Sequence, residues 1–150
     1  MWRELLLDIK KVEEKYGGTL NIPARNEQID YLKKVAKERF NHILPKEYIA
    51  FLKMVNGLEF NGFIFYGVDS WLVDKEDNKF VYGYIDSNEI WYENEHQKQY
   101  IFFGESNISW YCFDLLSRVY VELDNPSGTL MNTFTNFEYL LEKALKDSLL

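Results

Sequence analysis

The chain has 150 residues with 17 basic and 24 acidic side chains, a net charge of −7, 17% aromatic residues and a single cysteine, Cys112. That length fits one domain spanning residues 1–150 with an aromatic-heavy core. One cysteine excludes an internal disulfide, no run of about 18 apolar residues offers a membrane-spanning helix, and the acidic excess argues against direct nucleic-acid binding.

Trp2, Leu5, Leu6, Ile9, Val12 and Tyr16 keep to one face, which predicts an amphipathic helix over 2–16 ended by Gly17-Gly18. Asp8, Lys10 and Lys11 interrupt this segment before an apolar run of signal-peptide length develops, so a cytoplasmic protein is expected. A second helix is predicted over 26–39, with Asn26 as its cap and Ile29, Leu32, Val35 and Ala36 facing inward. The third, Leu44–Asn56, carries its own start and stop. Pro45 suits the first helical position, and Tyr48, Ile49, Phe51, Leu52 and Val55 recur at the spacing of one buried face. Gly57, after Asn56, can take the left-handed conformation that closes a helix.

Strands are predicted at Phe60–Val68, Lys79–Ile85, Ile90–Tyr92, Tyr100–Phe103, Trp110–Asp114 and Val119–Glu122, with Asp86–Glu89 as a loop and 124–128 as a turn cluster. The closing helix starts at a predicted capping box, Thr135 with Glu138, and a staple of Phe134 with Tyr139. It buries Phe137, Leu140, Leu141, Ala144 and Leu145. Helices before and after a block of short strands make the expected class α+β, a mainly antiparallel sheet of about six strands.

The pattern Leu-Pro-x-x-Tyr-x-x-Phe-Leu-x-x-x-Asn-Gly, carried by Leu44, Pro45, Tyr48, Phe51, Leu52, Asn56 and Gly57 and followed by an aromatic strand, resembles the SUKH superfamily. This group contains the fungal Smi/Knr-type cell-wall regulators and many bacterial relatives. Tyr100–Asn107, Tyr111–Leu115 and Phe134–Leu141 are similar to its paired central strands and closing helix, so the likeness covers roughly residues 26–145. The resemblance implies a SUKH-like fold in which the seven pattern residues hold the scaffold. It also implies a non-catalytic protein-binding role. In bacteria that role is often immunity, the neutralising of a cognate toxin, frequently a nuclease; in fungi it is regulation of wall assembly and glucan synthesis.

The residues themselves supply little for catalysis. His42 and His96 lack partners at metal-ligand spacing and read as solvated loop residues, Cys112 reads as a buried strand cysteine, and no phosphate-binding glycine loop or GxSxG elbow is present. Neither an enzyme, a metal nor a cofactor is expected. Charge is distributed unevenly, however: residues 69–95 hold eight acidic and two basic residues. A solvated surface accounts for the acids alone, but aromatics are interleaved with them, and Tyr and Trp among steering charges suit an interface. The expected partner-binding residues are Trp71, Asp74, Glu76, Asp77, Asp86, Glu89, Trp91, Glu93 and Glu95, and the expected partner is a protein, foremost a basic toxin domain. A regulatory adaptor is the second expectation, and a small-molecule sensor or enzyme the remote third.

Overall fold

A computed structural model describes residues 1–72 and 81–150. Its elements in chain order are α1 (Trp2–Lys15), α2 (Asn26–Phe40), α3 (Lys46–Met54), β1 (Leu58–Phe60), β2 (Phe63–Phe65), α4 (Tyr84–Trp91), β3 (Tyr100–Glu105), β4 (Ser109–Asp114), β5 (Val119–Asp124), β6 (Leu130–Phe134) and α5 (Phe137–Ser148). Two single 3₁₀ turns, Ser70–Leu72 and Glu95–Gln99, flank α4. The class is α+β, with the strands in one antiparallel sheet ordered β1-β2-β3-β4-β5-β6.

The aromatic content goes where the composition places it. Tyr48 of α3 lies at the centre of the main core, with ring centroids 5.1 Å from Phe103, 5.5 Å from Phe137 and 5.7 Å from Tyr84. Its hydroxyl donates to the Tyr66 carbonyl at 2.7 Å, so the phenol is buried without an orphaned donor. Strand alternation sends Phe102, Trp110 and Cys112 to the opposite face of the sheet, where Trp91 stacks on Phe102 at 4.7 Å. Glu122, buried on β5, accepts from the Ser109 hydroxyl at 2.6 Å and from Asn132 Nδ2 at 2.9 Å, with Lys143 Nζ 3.5 Å away.

Several boundaries differ from the sequence expectation. The expected strand Phe60–Val68 is a hairpin: Asn61 (φ 49°) and Gly62 (φ 80°) turn the chain between β1 and β2, and Asn-Gly is the pair that such a two-residue turn favours. Val81–Ile85, the described part of the expected strand Lys79–Ile85, and Ile90–Tyr92 are not strands. Tyr84 and Ile85 begin α4, Asp86–Glu89 is helix rather than loop, and Ile90 and Trp91 end it; Lys79 and Phe80 lie outside the described residues. The sixth strand is instead β6, which follows the 124–128 turn.

The caps also shift. Pro45 sits one position before α3, with an extended ψ of 143°, and α3 ends at Met54, so Gly57 is left-handed (φ 77°) but beyond the cap. Arg25 caps α2, its N–H donating to Gln28 Oε1 at 2.9 Å. Asn136, not Thr135, caps α5, its side chain accepting from the Tyr139 N–H at 3.1 Å. That shift leaves Tyr139 exposed rather than stapled to Phe134.

Candidate protein-interaction surface

α4 begins without a local side-chain cap. Its N-cap is Gly83, and the capping carboxylate comes from Asp69, fourteen residues earlier: Oδ1 accepts from the Ile85 N–H at 2.9 Å and Oδ2 from the Asp86 N–H at 2.8 Å. A carboxylate there satisfies two free amides and meets the positive end of the helix dipole. Gly83 is required by closeness, since a Cβ built on it would come within 2.1 Å of Asp69 Oδ2. Burial pushes the Asp69 carboxyl up to about 6 from an ordinary 3.8, against the pull of the two amides.

The inner side of α4 completes β3. β2 pairs with β3 only at Ile64–Glu105 and Phe65–Gly104, which leaves the first half of that strand edge open. Asn88 fills the gap: Oδ1 accepts from the Phe102 N–H at 2.7 Å, and Nδ2 donates to the Phe102 and Tyr84 carbonyls, each at 2.9 Å. The Tyr92 hydroxyl donates to the Tyr100 carbonyl at 2.6 Å. Trp91 donates from its indole N–H to the Tyr66 hydroxyl at 2.9 Å, and Tyr66 in turn to Glu105 Oε2 at 2.5 Å.

The outer side of α4 is different. Asp86, Glu89 and Ile90 are exposed at the i, i+3, i+4 spacing of one helical stripe, with Ile90 65% exposed, and Glu93 is exposed in the turn just after the helix. Trp71, 48% exposed on the adjacent 3₁₀ turn, directs its indole N–H at the Asp86 carboxylate, 3.2 and 3.3 Å from its oxygens. The Arg39 guanidinium, from the last turn of α2, lies 5.3 Å from the Trp71 ring centroid and pairs with Glu89.

The expected site residues therefore separate. Trp71, Asp86 and Glu89 come together, and Glu93 follows in the turn after the helix. Glu95, exposed beyond the helix, is hydrogen-bonded to Lys98 at 2.8 Å, which holds its carboxyl below the usual range. Trp91, expected as an outward anchor, instead packs inward, because its position in the helix sets it over Phe102. Asp74, Glu76 and Asp77 lie outside the described residues. Arg39 was missed, since nothing local to α2 marks it as the cation that meets Trp71. Asp69 and Asn88 were missed too, because both act across long stretches of sequence.

Elsewhere, His42 is not the solvated residue expected. It packs 5.5 Å from Phe113, and burial together with Arg118 pushes its imidazole down to about 4, so it is neutral at pH 7. Cys112 is fully buried, and desolvation raises its thiol well above the ordinary range. Among the described residues no group of three or more His, Cys, Asp or Glu could hold a metal ion, and no helix is long and apolar enough to cross a membrane. One open groove of about 570 Å³ lies between Tyr100 and Pro126. Its neighbouring Glu95 and His96 stand exposed on the rim.

Residues 32–141 match the family model SUKH_6, described as SMI1-KNR4 cell-wall. The chain belongs to this SMI1-KNR4 family of the SUKH superfamily. No curated protein matches it. The matched span runs from the middle of α2 into α5, and so includes Tyr48, Asn56, Asp69, Asn88 and the outer stripe of α4. Within this SUKH domain the pattern residues are buried or nearly so: Asn56, for example, accepts from the Val68 N–H at 2.7 Å.

Proposed function

We propose that this SUKH domain is an immunity-type protein that binds a basic toxin domain through the outer face of α4, with Trp71 as the aromatic anchor, and blocks it without catalysing a reaction. One observation carries the reading: α4 is fixed on its inner side by Asp69, Asn88 and Trp91, while its outer side presents Asp86 and Glu89 beside an exposed isoleucine, with Glu93 exposed in the turn that follows. A rigid helix with this stripe gives a partner both steering charge and an apolar centre. Glu93 and Glu95, at the negative end of the α4 dipole, sit where basic residues would serve stability better, which favours a role in recognition over one in folding.

The test is affinity capture from the source cells at low ionic strength, comparing the unaltered chain with a variant bearing Asp86→Lys, Glu89→Lys and Glu93→Lys. A basic protein retained by the first, lost by the second and released by salt is the expected result; equal retention by both overturns the placement. Expression of the captured protein alone, then together with this chain, separates two roles. Toxicity relieved by co-expression marks immunity, whereas a harmless partner points to the regulatory adaptor that the cell-wall description of the family favours.

A further inference from the structure

Arg39 brings a cation to the α4 surface, and it is loosely held there. It lies in the last turn of α2 with its side chain 47% exposed, and its guanidinium carbon is 5.3 Å from the centre of the Trp71 ring, within reach of a cation–π contact. Among the described residues one of its five N–H groups is used, toward the half-exposed Glu89. Exposed ion pairs and exposed cation–π contacts are both weak. The groups that receive Arg39 are placed more firmly. The Trp71 indole N–H is directed at both Asp86 oxygens, which orients the ring. Asp86 is set in the first turn of α4, where its own N–H donates to Asp69 Oδ2 at 2.8 Å, and Glu89 follows one turn later.

The result is a cradle with an aromatic face and two carboxylates, and Arg39 does not balance its charge. Among the described residues Glu89 pairs with Arg39 alone and Asp86 with no cation, so a negative charge remains with Arg39 in place. A flat ring beside a carboxylate suits a planar guanidinium, which stacks on an indole while its fork of N–H groups meets the acid. A lysine ammonium, compact and strongly hydrated, fits such a pairing less well. Arg39 is itself an example of the fit, supplied from within the chain.

We propose that Trp71, Asp86 and Glu89 form a receiving site for an arginine of the basic partner, and that Arg39 is its resident placeholder, displaced when the partner's arginine enters. The inference rests on the reading of the outer face of α4 as a recognition surface and names the side chain recognised there. Displaced, Arg39 is not stranded: at the C-terminal end of α2, beside Lys37, a cation is still favoured by the helix dipole. Arg39 thereby sharpens specificity. A lysine-rich surface lacks the stacking needed to replace it, so a merely basic protein is held less well than one with an arginine at this point.

The test has one arm without the partner and one with it. Arg39→Ala vacates the cradle, and ethylguanidinium is titrated into the isotope-labelled full chain with the Trp71 indole resonance as readout. A saturable shift is expected, at a half-saturating concentration at least about threefold below that of ethylammonium and below that for the unaltered chain, where Arg39 competes. The buried Trp2 indole should not move, and adding Glu89→Gln should abolish the Trp71 response. With the captured partner, Arg39→Gln should tighten binding about fivefold, whereas Lys34→Gln, an equal loss of charge at an exposed position of the same helix, should tighten it less than about twofold. No saturable shift, equal responses to the two cations, or equal effects of the two glutamine variants overturns the proposal. If ethylguanidinium binds as expected but Asp86→Lys, Glu89→Lys and Glu93→Lys together leave capture unchanged, the recognition reading fails, and with it the partner's arginine, while the guanidinium site stands.

Discussion

α3 and α4 are helices of nine and eight residues in the same core, yet they arise in different ways. α3 is specified by its neighbours in sequence: a proline before it, three buried residues at helical spacing (Tyr48, Phe51 and Leu52), and an outer side of mixed charge from Lys46, Glu47 and Lys53. α4 depends on groups brought from elsewhere, a carboxylate from Asp69 and a strand edge from Phe102, and its outer side is acidic. A helix held by local signals can serve as scaffold alone. One held by remote contacts on one side is free to vary on the other, and that side is where recognition is proposed.

The contrast breaks most easily at Asn88. Asn88→Ala leaves the Phe102 N–H and carbonyl buried without partners, so a loss of about 3 kcal/mol is expected, read from the urea midpoint. Trp91 fluorescence should shift at the same time, as α4 loosens over Phe102. Asp69 gives a pH signature that α3 lacks. Its folded value of about 6 lies above its ordinary 3.8, so the stability it contributes is complete below about pH 3.8 and is lost as the pH rises through 6. Asp69→Asn removes that titration and should flatten the decline by about 2 kcal/mol between pH 4 and 7, measured by urea unfolding across the range.

In α3 the matching experiment is Tyr48→Phe, which strands the Tyr66 carbonyl and should cost about 1–2 kcal/mol with no change in the pH profile. The smallest effect is expected on the outer stripe. Asp86→Asn, Glu89→Gln and Glu93→Gln together should alter stability by no more than about 1 kcal/mol, because the Arg39–Glu89 pair is exposed. A larger fall in the thermal midpoint would mean that the outer face of α4 supports the fold.

The same contrast explains what could be read from the sequence. α1, α2, α3 and α5 announce themselves by apolar spacing, and β3, β4 and β5 by aromatic and β-branched runs between turn residues. The β1–β2 hairpin was also legible, since Asn61-Gly62 between Phe60 and Phe63 is a strong turn signal that the continuous aromatic run obscured. α4 was not. Val81-Tyr82-Gly83-Tyr84-Ile85 alternates like a strand, and only the three-dimensional approach of Asp69 turns it into the start of a helix. Of the candidate surface, Trp71, Asp86 and Glu89 could be named from composition. Their meeting with Arg39 could not, because it depends on how α2 crosses the 3₁₀ turn.

Strand follows strand across the whole sheet, so each is laid beside its predecessor in the order of synthesis. Such near-neighbour topology shortens the search during folding. The chain ends are the exception, since α1 rests on α5 and waits for the last helix to emerge. A nascent chain stopped before residue 137 would carry a finished meander with a bare patch over Tyr48, Phe103 and Tyr120, where the Phe137 ring belongs.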